Sequence, residues 1–388
     1  MKLKLKNTPE QVELVKAIGS RDTSVSREAS EAFAAFLGPV IQKVLLTAGT
    51  ASQIFVDSEF DEDDSPSYPL DLHYGEGEGY VTVWSQHMAG GLPTSQVEGM
   101  KEVKIATYRL DSAVSFNKRY ARRARLDVVS KAIERMANEV LIKQERNAWA
   151  VILKALSEGN TSDQAHVVPS SGFNVAGGSK FGLADLNKLM TLNKRINESF
   201  SGHTPIASYS DGISDLYVSP EVLEQIRAFA YNPMYTSPVN GEALPDNMRE
   251  EIYRGAGMAS IYGVNINEMV ELGVGKKYNH LFAAVAPASG ASETHFAIDD
   301  IEGVLGSGTG TTFDKSVHEL IIGVDNSRGA FIRPVARQWD SGGDGTFRAL
   351  PDEQFNMYGS RVEKTGFYGF LEEGRICIDA RAIMGLVL

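Results

Sequence analysis

Polar and apolar positions alternate along Tyr80-Val81-Thr82-Val83-Trp84 and again along Val103-Lys104-Ile105-Ala106-Thr107-Tyr108-Arg109-Leu110 and Ala113-Val114-Ser115-Phe116. That period of two is the mark of a half-buried sheet. Between these runs lies a tip of small residues, Ala89-Gly90-Gly91-Leu92-Pro93-Thr94-Ser95. The pattern predicts two extended strands joined at that tip. A hairpin of this kind is marginal on its own, so its partner is expected on another copy of the chain. After the basic cluster Lys118, Arg119, Arg122, Arg123 and Arg125 the period changes. Val129, Ile133, Met136 and Val140 recur at helical spacing, as do Trp149, Ile152, Leu153 and Leu156, with the polar run Gln144-Glu145-Arg146-Asn147 between the two sets. No Gly or Pro interrupts this stretch before Gly159. One helix from Leu126 to Glu158 is predicted, roughly 50 Å long at about 1.5 Å per residue, which suits a strut.

Around that centre the chain divides into six stretches. Residues 1–52 read as an N-terminal arm with two short helices. The first opens at Pro9 and ends at Gly19; the second starts near Ser26 and is kinked or broken at Pro39. Residues 53–79 read as an acidic linker, because Asp57, Glu59, Asp61, Glu62, Asp63 and Asp64 crowd together. The spaced carboxylates and Gly of a calcium loop are absent there. A solvated loop is one reading. Pairing with the Lys118–Arg125 cluster of a neighbouring chain is the other. Residues 80–118 are the extended loop, and 119–202 contain the long helix and an amphipathic helix over Leu183 to Glu198. Residues 203–325 read as an α/β unit, in which Leu216-Tyr217-Val218 leads into a helix capped by Ser219 with Pro220 in its first turn. Strands are expected at Ile261–Leu272, Leu281–Ala286 and His318–Val324. Residues 326–388 return as sheet, the stretch Val362 to Ile378 reading as strand, glycine turn and strand. The fold class is α+β.

Composition narrows the function. The formal net charge is −12, which argues against a dedicated nucleic-acid binder but not against a protein that merely encloses nucleic acid. Lys2, Lys4 and Lys6 read as a solvated tail or as a contact to phosphate or an acidic neighbour. Cys377 is the single cysteine, so neither an intrachain disulfide nor a cysteine-rich metal site is available. No apolar run reaches membrane-spanning length. The zinc-protease His pair, the Walker loop and the nucleophile elbow are all absent. Gly306 to Thr312 is Gly-rich without the phosphate-reaching lysine, and the seven histidines are scattered singly. Neither a catalytic residue nor a cofactor or metal is expected.

The order of arm, extended hairpin, long helix, α/β unit and returning sheet resembles the major capsid protein of tailed bacteriophages, with the Hong Kong 97-like fold. The hairpin Tyr80–Phe116 is similar to that family's extended loop and Leu126–Glu158 to its spine helix. Leu216-Tyr217-Val218-Ser219-Pro220-Glu221 is similar to the strand-to-helix entry of its axial domain, and Phe370 to Arg375 with the strand after it to its peripheral-domain sheet. The resemblance implies a virion protein, assembled in the host cytoplasm. It would build hexamers and pentamers around double-stranded DNA, with a separate scaffolding protein, a portal and decoration or cement proteins as partners and no membrane. The tip Ala89–Ser95 has no lysine, so the isopeptide cross-link of some members is not implied. Inter-subunit contacts are expected from Tyr80, Trp84 and Leu92 on the loop, and from Lys118, Arg119, Arg122, Arg123 and Arg125 facing Asp61, Glu62, Asp63 and Asp64. Two other functions remain open at this point. One is an encapsulin-type compartment shell, which co-purifying protein cargo would reveal. The other is an α/β hydrolase-like enzyme, which would be a discrete small species with a pocket of perturbed residues.

Overall fold

A computed structural model describes residues 8–20, 22–47, 49–61, 65–69, 102–123, 125–159, 166–174, 176–198, 212–231, 250, 260–285, 297–298, 311–337, 347–352 and 364–388. The helices are α1 (Pro9–Ile18), α2 (Thr23–Thr47), α3 (Lys118–Arg122), α4 (Leu126–Gly159), α5 (Leu183–Glu198), α6 (Pro220–Tyr231) and α7 (Lys277–Val285). The strands are β1 (Val56–Asp61), β2 (Ser67–Pro69), β3 (Glu102–Lys104), β4 (Thr107–Asn117), β5 (Val167–Pro169), β6 (Asp215–Val218), β7 (Ser260–Ile261) and β8 (Val264–Glu268). They continue with β9 (Ala297–Ile298), β10 (Thr311–Thr312), β11 (Leu320–Val324), β12 (Phe331–Arg337), β13 (Arg348–Asp352), β14 (Lys364–Gly374), β15 (Ile376–Cys377) and β16 (Ile383–Val387). The mixture is α+β, and the chain forms two compact units.

Unit 1 comprises Met1–Tyr68, Lys104–Ala148 and Ile332–Ile376. Its sheet is built on β14. One edge of β14 takes β4 in antiparallel register from Thr107↔Gly374 to Asn117↔Lys364. The other edge takes β13 and, through Val335↔Glu373, β12; β1 lies parallel to β12. One continuous core joins this sheet to the helices. Phe33, Leu37 and Ile41 of α2 are buried with Val129, Ile133, Met136 and Val140 of α4 and with Phe116, Phe367 and Leu371 of the sheet. The Phe33 and Phe367 rings lie 5.2 Å apart. Helix α1 starts at Pro9 and stops at Gly19, where any Cβ would meet the main-chain nitrogen of Arg122 at 2.6 Å.

Unit 2 comprises Pro69–Val103, Trp149–Phe331 and Cys377–Leu388. Its sheet runs β5-β16-β11-β6-β8-β7. Strands β6 and β8 are parallel, as are β16 and β5, while β11 is antiparallel to both its neighbours. Each of the parallel strands β6 and β8 is followed by a helix, α6 and α7. The core contains Leu186 and Leu189 of α5, Val222, Leu223 and Ile226 of α6, and Leu216, Val218, Ile321, Met384 and Leu386 of the sheet. Ser219 caps α6 by accepting the Val222 N–H at 3.1 Å on its hydroxyl oxygen.

Four expectations change. Helix α2 runs through Pro39 without ending. A proline inside a helix removes one main-chain hydrogen bond, and that loss is offset by burial of Phe33, Ala34, Leu37 and Ile41 on either side. Of the run expected as a strand at Leu281–Ala286, residues 281–285 are the second half of α7 and Ala286 lies outside the described residues. A short apolar run does not separate strand from helix, and here Tyr278 and Phe282, one helical turn apart, are the buried pair. The strand expected over Ile261–Leu272 is two strands joined at Tyr262-Gly263 and ends at Glu268. Part of the acidic linker is a strand: Asp57, Glu59 and Asp61 alternate along β1.

Candidate functional site

The candidate site is formed by the strands that flank residues 70–101. Strands β2 and β3 flank residues 70–101, which lie outside the described residues, and the two strands pair with one another. Just beyond them, the Ile105 N–H donates to the Pro66 carbonyl at 3.0 Å, and the Ile105 side chain is buried. The strand returning from the loop then becomes β4, and its whole length pairs with β14 of the same chain. The sequence had assigned residues 107–117 to an arm completed by another copy. Their partner is internal, because β14 offers a free edge of equal length and Phe116 and Phe367 close over the core with ring centroids 6.1 Å apart.

Beside this root lies a buried charge cluster centred on Glu373, which is fully buried. Its Oε2 accepts from Arg333 Nε at 2.8 Å and Gln144 Nε2 at 3.0 Å. Its Oε1 accepts from the Tyr108 hydroxyl at 2.9 Å and from Arg375 Nε at 3.3 Å. Arg333 reaches on to Asp57 of β1 at 3.3 Å, and Arg375 lies over the Phe55 ring. Burial pushes the Glu373 carboxyl up, but the guanidinium groups of Arg375 and then Arg333, with the Tyr108 hydroxyl, outweigh it and hold it below its ordinary range. Burial, then the nearby Glu373 charge, pushes the Tyr108 phenol up to about 12. Two further residues of the polar run take up positions nearby. Asn147 bonds Tyr108. Glu145 accepts from Thr50 Oγ1 at 3.0 Å and from the Ala51 N–H at 3.2 Å. The run that separates the two apolar stripes of α4 is therefore a set of internal ties. Sequence reasoning missed this cluster. Its one local signal was the carboxylates and guanidinium of Glu372-Glu373-Gly374-Arg375 inside an otherwise apolar strand.

The predicted contact residues fall into three groups. Tyr80, Trp84, Leu92, Glu62, Asp63 and Asp64 lie outside the described residues. Lys118, Arg119 and Arg122 belong to α3, which Asn117 caps by accepting the Arg119 N–H at 2.8 Å; Arg123 and Arg125 follow it. Arg119, Arg123 and Arg125 are exposed. Arg122 is engaged at the end of α1, its Nε donating to the Gly19 carbonyl at 2.7 Å. Asp61 ends β1. Its neighbours Asp57 and Glu59 pair with Arg333 and Arg337 of the same chain, the latter at 3.8 Å in an exposed setting worth about 0–1 kcal/mol.

Two of the described histidines and the single cysteine hold positions inside the fold. His166 Nδ1 lies 3.0 Å from the Ile383 carbonyl, and His318 Nδ1 accepts the Asp314 N–H at 3.0 Å; both rings are buried. Burial, then Asp379, pushes the Cys377 thiol up to about 12, away from the reactive thiolate. Among the described residues there is no group of His, Cys, Asp and Glu that could hold a metal ion, and no helix is long and apolar enough to cross a membrane.

No protein-family model and no curated protein matches the chain. Solved structures do. A capsid structure of the cyanophage P-SCSP1u is 13% identical, with 87% of this chain and 88% of that chain covered at a TM-score of 0.49. The capsid asymmetric unit of cyanophage Pam1 is 12% identical over 86% of this chain and 88% of that chain, at a TM-score of 0.47. The holo-SrpI encapsulin complex from Synechococcus elongatus PCC 7942 is 9% identical over 88% of both chains, at a TM-score of 0.43. At such values the likeness is one of outline.

Proposed function

We propose that this chain is the major capsid protein of a tailed double-stranded DNA bacteriophage, with the Hong Kong 97-like arrangement. In this reading α4 is the spine helix, unit 1 supplies the peripheral domain, and the sheet and helices of residues 203–325 supply the axial domain. The observation that carries the reading is the rooted loop. Strands β2 and β3, which flank residues 70–101 in the chain, pair with one another, and β4, which follows, is fixed to β14 over its full length. A segment anchored this firmly at its root is built to hold something beyond it. A second copy of the chain is the partner that suits Tyr80, Trp84 and Leu92 on that segment.

Assembly then follows from repeated contacts. The loop lies on a neighbour, and Lys118, Arg119, Arg123 and Arg125 meet the neighbour's Asp61, Glu62, Asp63 and Asp64. Arg122 takes part less, being tied to Gly19. Interfaces of this class bury about 1,200–2,000 Å² each, and many of them per subunit add through multivalency. The product is an icosahedral shell of hexamers and pentamers that encloses DNA without reading its sequence, in keeping with the net charge of −12. Scaffolding, portal and cement proteins are the further partners this role implies, and the virion is its location.

Size-exclusion chromatography and negative-stain electron microscopy of the expressed protein test the proposal. Hexamers, pentamers or closed shells are expected. A 42.2 kDa species that never associates overturns it, and shells carrying a protein cargo in place of DNA point to an encapsulin-type compartment. Replacing residues 72–100 with a short Gly-Ser turn should leave unit 1 folded and abolish assembly. Normal shells from that variant remove the loop from the mechanism.

A further inference from the structure

Glu319 stands at the start of β11, the strand between β16 and β6 in the sheet of unit 2. It is 8% exposed, and its Oε1 is buried without a hydrogen-bond partner among the described residues. Its main chain is fixed: the Glu319 N–H donates to the Leu388 main-chain oxygen at 3.2 Å, and the Leu388 N–H returns to the Glu319 carbonyl at 2.9 Å. The side chain therefore starts from a main-chain position held in the sheet.

That place is the first turn of α6. The donors of a helix N-terminus normally welcome a carboxylate, but here the Val222 and Leu223 N–H groups are already engaged. Pro220 has no N–H, the Val222 N–H goes to Ser219 Oγ at 3.1 Å, and the Leu223 N–H goes to the Ser219 carbonyl at 3.0 Å. The Ser219 hydroxyl remains, and it bonds Glu319. The other charged group on the helix turn is Glu221, a like charge. From the loop before α7, Lys276 comes close to Glu221: a single point above Gly273 lies 3.4 Å from Glu221 Oε2, 3.5 Å from Lys276 Cγ and 3.5 Å from Ser219 Cβ. On the strand's own approach, His318 is turned to the Asp314 N–H.

We infer that the Glu319 carboxyl group is a proton-dependent latch between β11 and α6, holding the first turn of α6 as the neutral acid and loosening it as the carboxylate. A buried carboxylate with an unpartnered oxygen is far costlier than the neutral acid in the same place. The second negative charge on Glu221 adds to that cost. Burial, and then Glu221, raise the Glu319 pKa above its ordinary value of 4.5, with the Ser219 hydroxyl opposing them. The folded state thus holds a proton that the unfolded chain gives up. The stability it contributes is complete below about pH 4.5 and is lost as pH rises through the folded value. All these groups lie in unit 2, so the latch does not depend on the shell reading.

The test uses the full-length chain as wild type, Glu319→Gln and Glu221→Gln, in thermal melts from about pH 4 to about pH 9. Glutamine keeps the shape and the Ser219 hydrogen bond without the charge. Glu319→Gln should match the wild type at the acid end and melt progressively higher than it as pH rises. Glu221→Gln, which removes a charge that raises the Glu319 pKa, should make the wild-type decline smaller and end it at lower pH. Amide exchange at residues 221–226, corrected for its intrinsic pH dependence, should rise with pH in the wild type and stay flat in Glu319→Gln. A melting difference between Glu319→Gln and wild type that does not change with pH overturns the latch. So does an exchange profile that Glu319→Gln leaves unaltered.

Discussion

Replacing Trp149 with alanine is the most direct probe of the core of unit 2. The indole is fully buried, edge-on to the Tyr217 ring at 5.0 Å and tilted against Tyr278 at 5.8 Å. A buried indole removes about 150–250 Å² from water, worth roughly 4–6 kcal/mol at about 25 cal/mol per Å². Alanine keeps a small part of that, partial collapse recovers more, and the two ring contacts add about 0.5–1.5 kcal/mol each. The net loss should be about 3–5 kcal/mol, the usual cost of a large-to-alanine change in a core. For a unit of this size that corresponds to roughly 6–20 °C in melting temperature. The assay is a reversible urea or thermal melt of unassembled protein, followed by circular dichroism, with Trp149→Phe as a milder control. The Tyr217 and Tyr278 rings lie with Trp149 in unit 2, so the loss should not depend on protein concentration. A loss below about 1 kcal/mol, or one that appears only on assembly, would refute the packing argument.

Three further outcomes are expected. Glu373→Gln strands Arg333 and Arg375 without their shared carboxylate, and breaking a buried pair this way costs about 3–5 kcal/mol; denaturant melts of unit 1 check it, and an unchanged midpoint counts against the cluster. Because the Glu373 pKa is depressed, its contribution is present above the ordinary value of 4.5 and should fade as pH drops through the folded value. His166 is held neutral, its pKa lowered from 6.5 chiefly by burial, so protons favour the unfolded chain below about pH 6.5. His166→Gln should flatten that acid-side slope, and an identical slope in both proteins excludes His166 as its source. Tyr262 carries a left-handed φ of 53° at the β7–β8 turn with its side chain 47% exposed. Tyr262→Asn should raise stability by about 1 kcal/mol, and a lower melting temperature would show that the ring is needed where it stands.

The long helix was legible because its apolar positions carry their own period. Val129, Ile133, Met136 and Val140, and then Trp149, Ile152, Leu153 and Leu156, are all buried. The Ser219-Pro220 entry to α6 was legible for the same local reason. The charge cluster was not. Glu373 meets Gln144 across 229 positions and Tyr108 across 265, and nothing in either neighbourhood announces the other. The acidic stretch hid a strand because its carboxylates suggested solvation. Asp57 and Glu59 alternate as strand residues do, but the arginines that stabilise them lie on β12, near the other end of the chain.

The eleven-rung ladder between β4 and β14 also sets how the loop root bears mechanical load. A tug along the strand axis strains all the rungs together and must shear them as one. A tug across the axis reaches Thr107 first and opens the ladder a rung at a time. The same root is therefore strong in one direction and weak in the other.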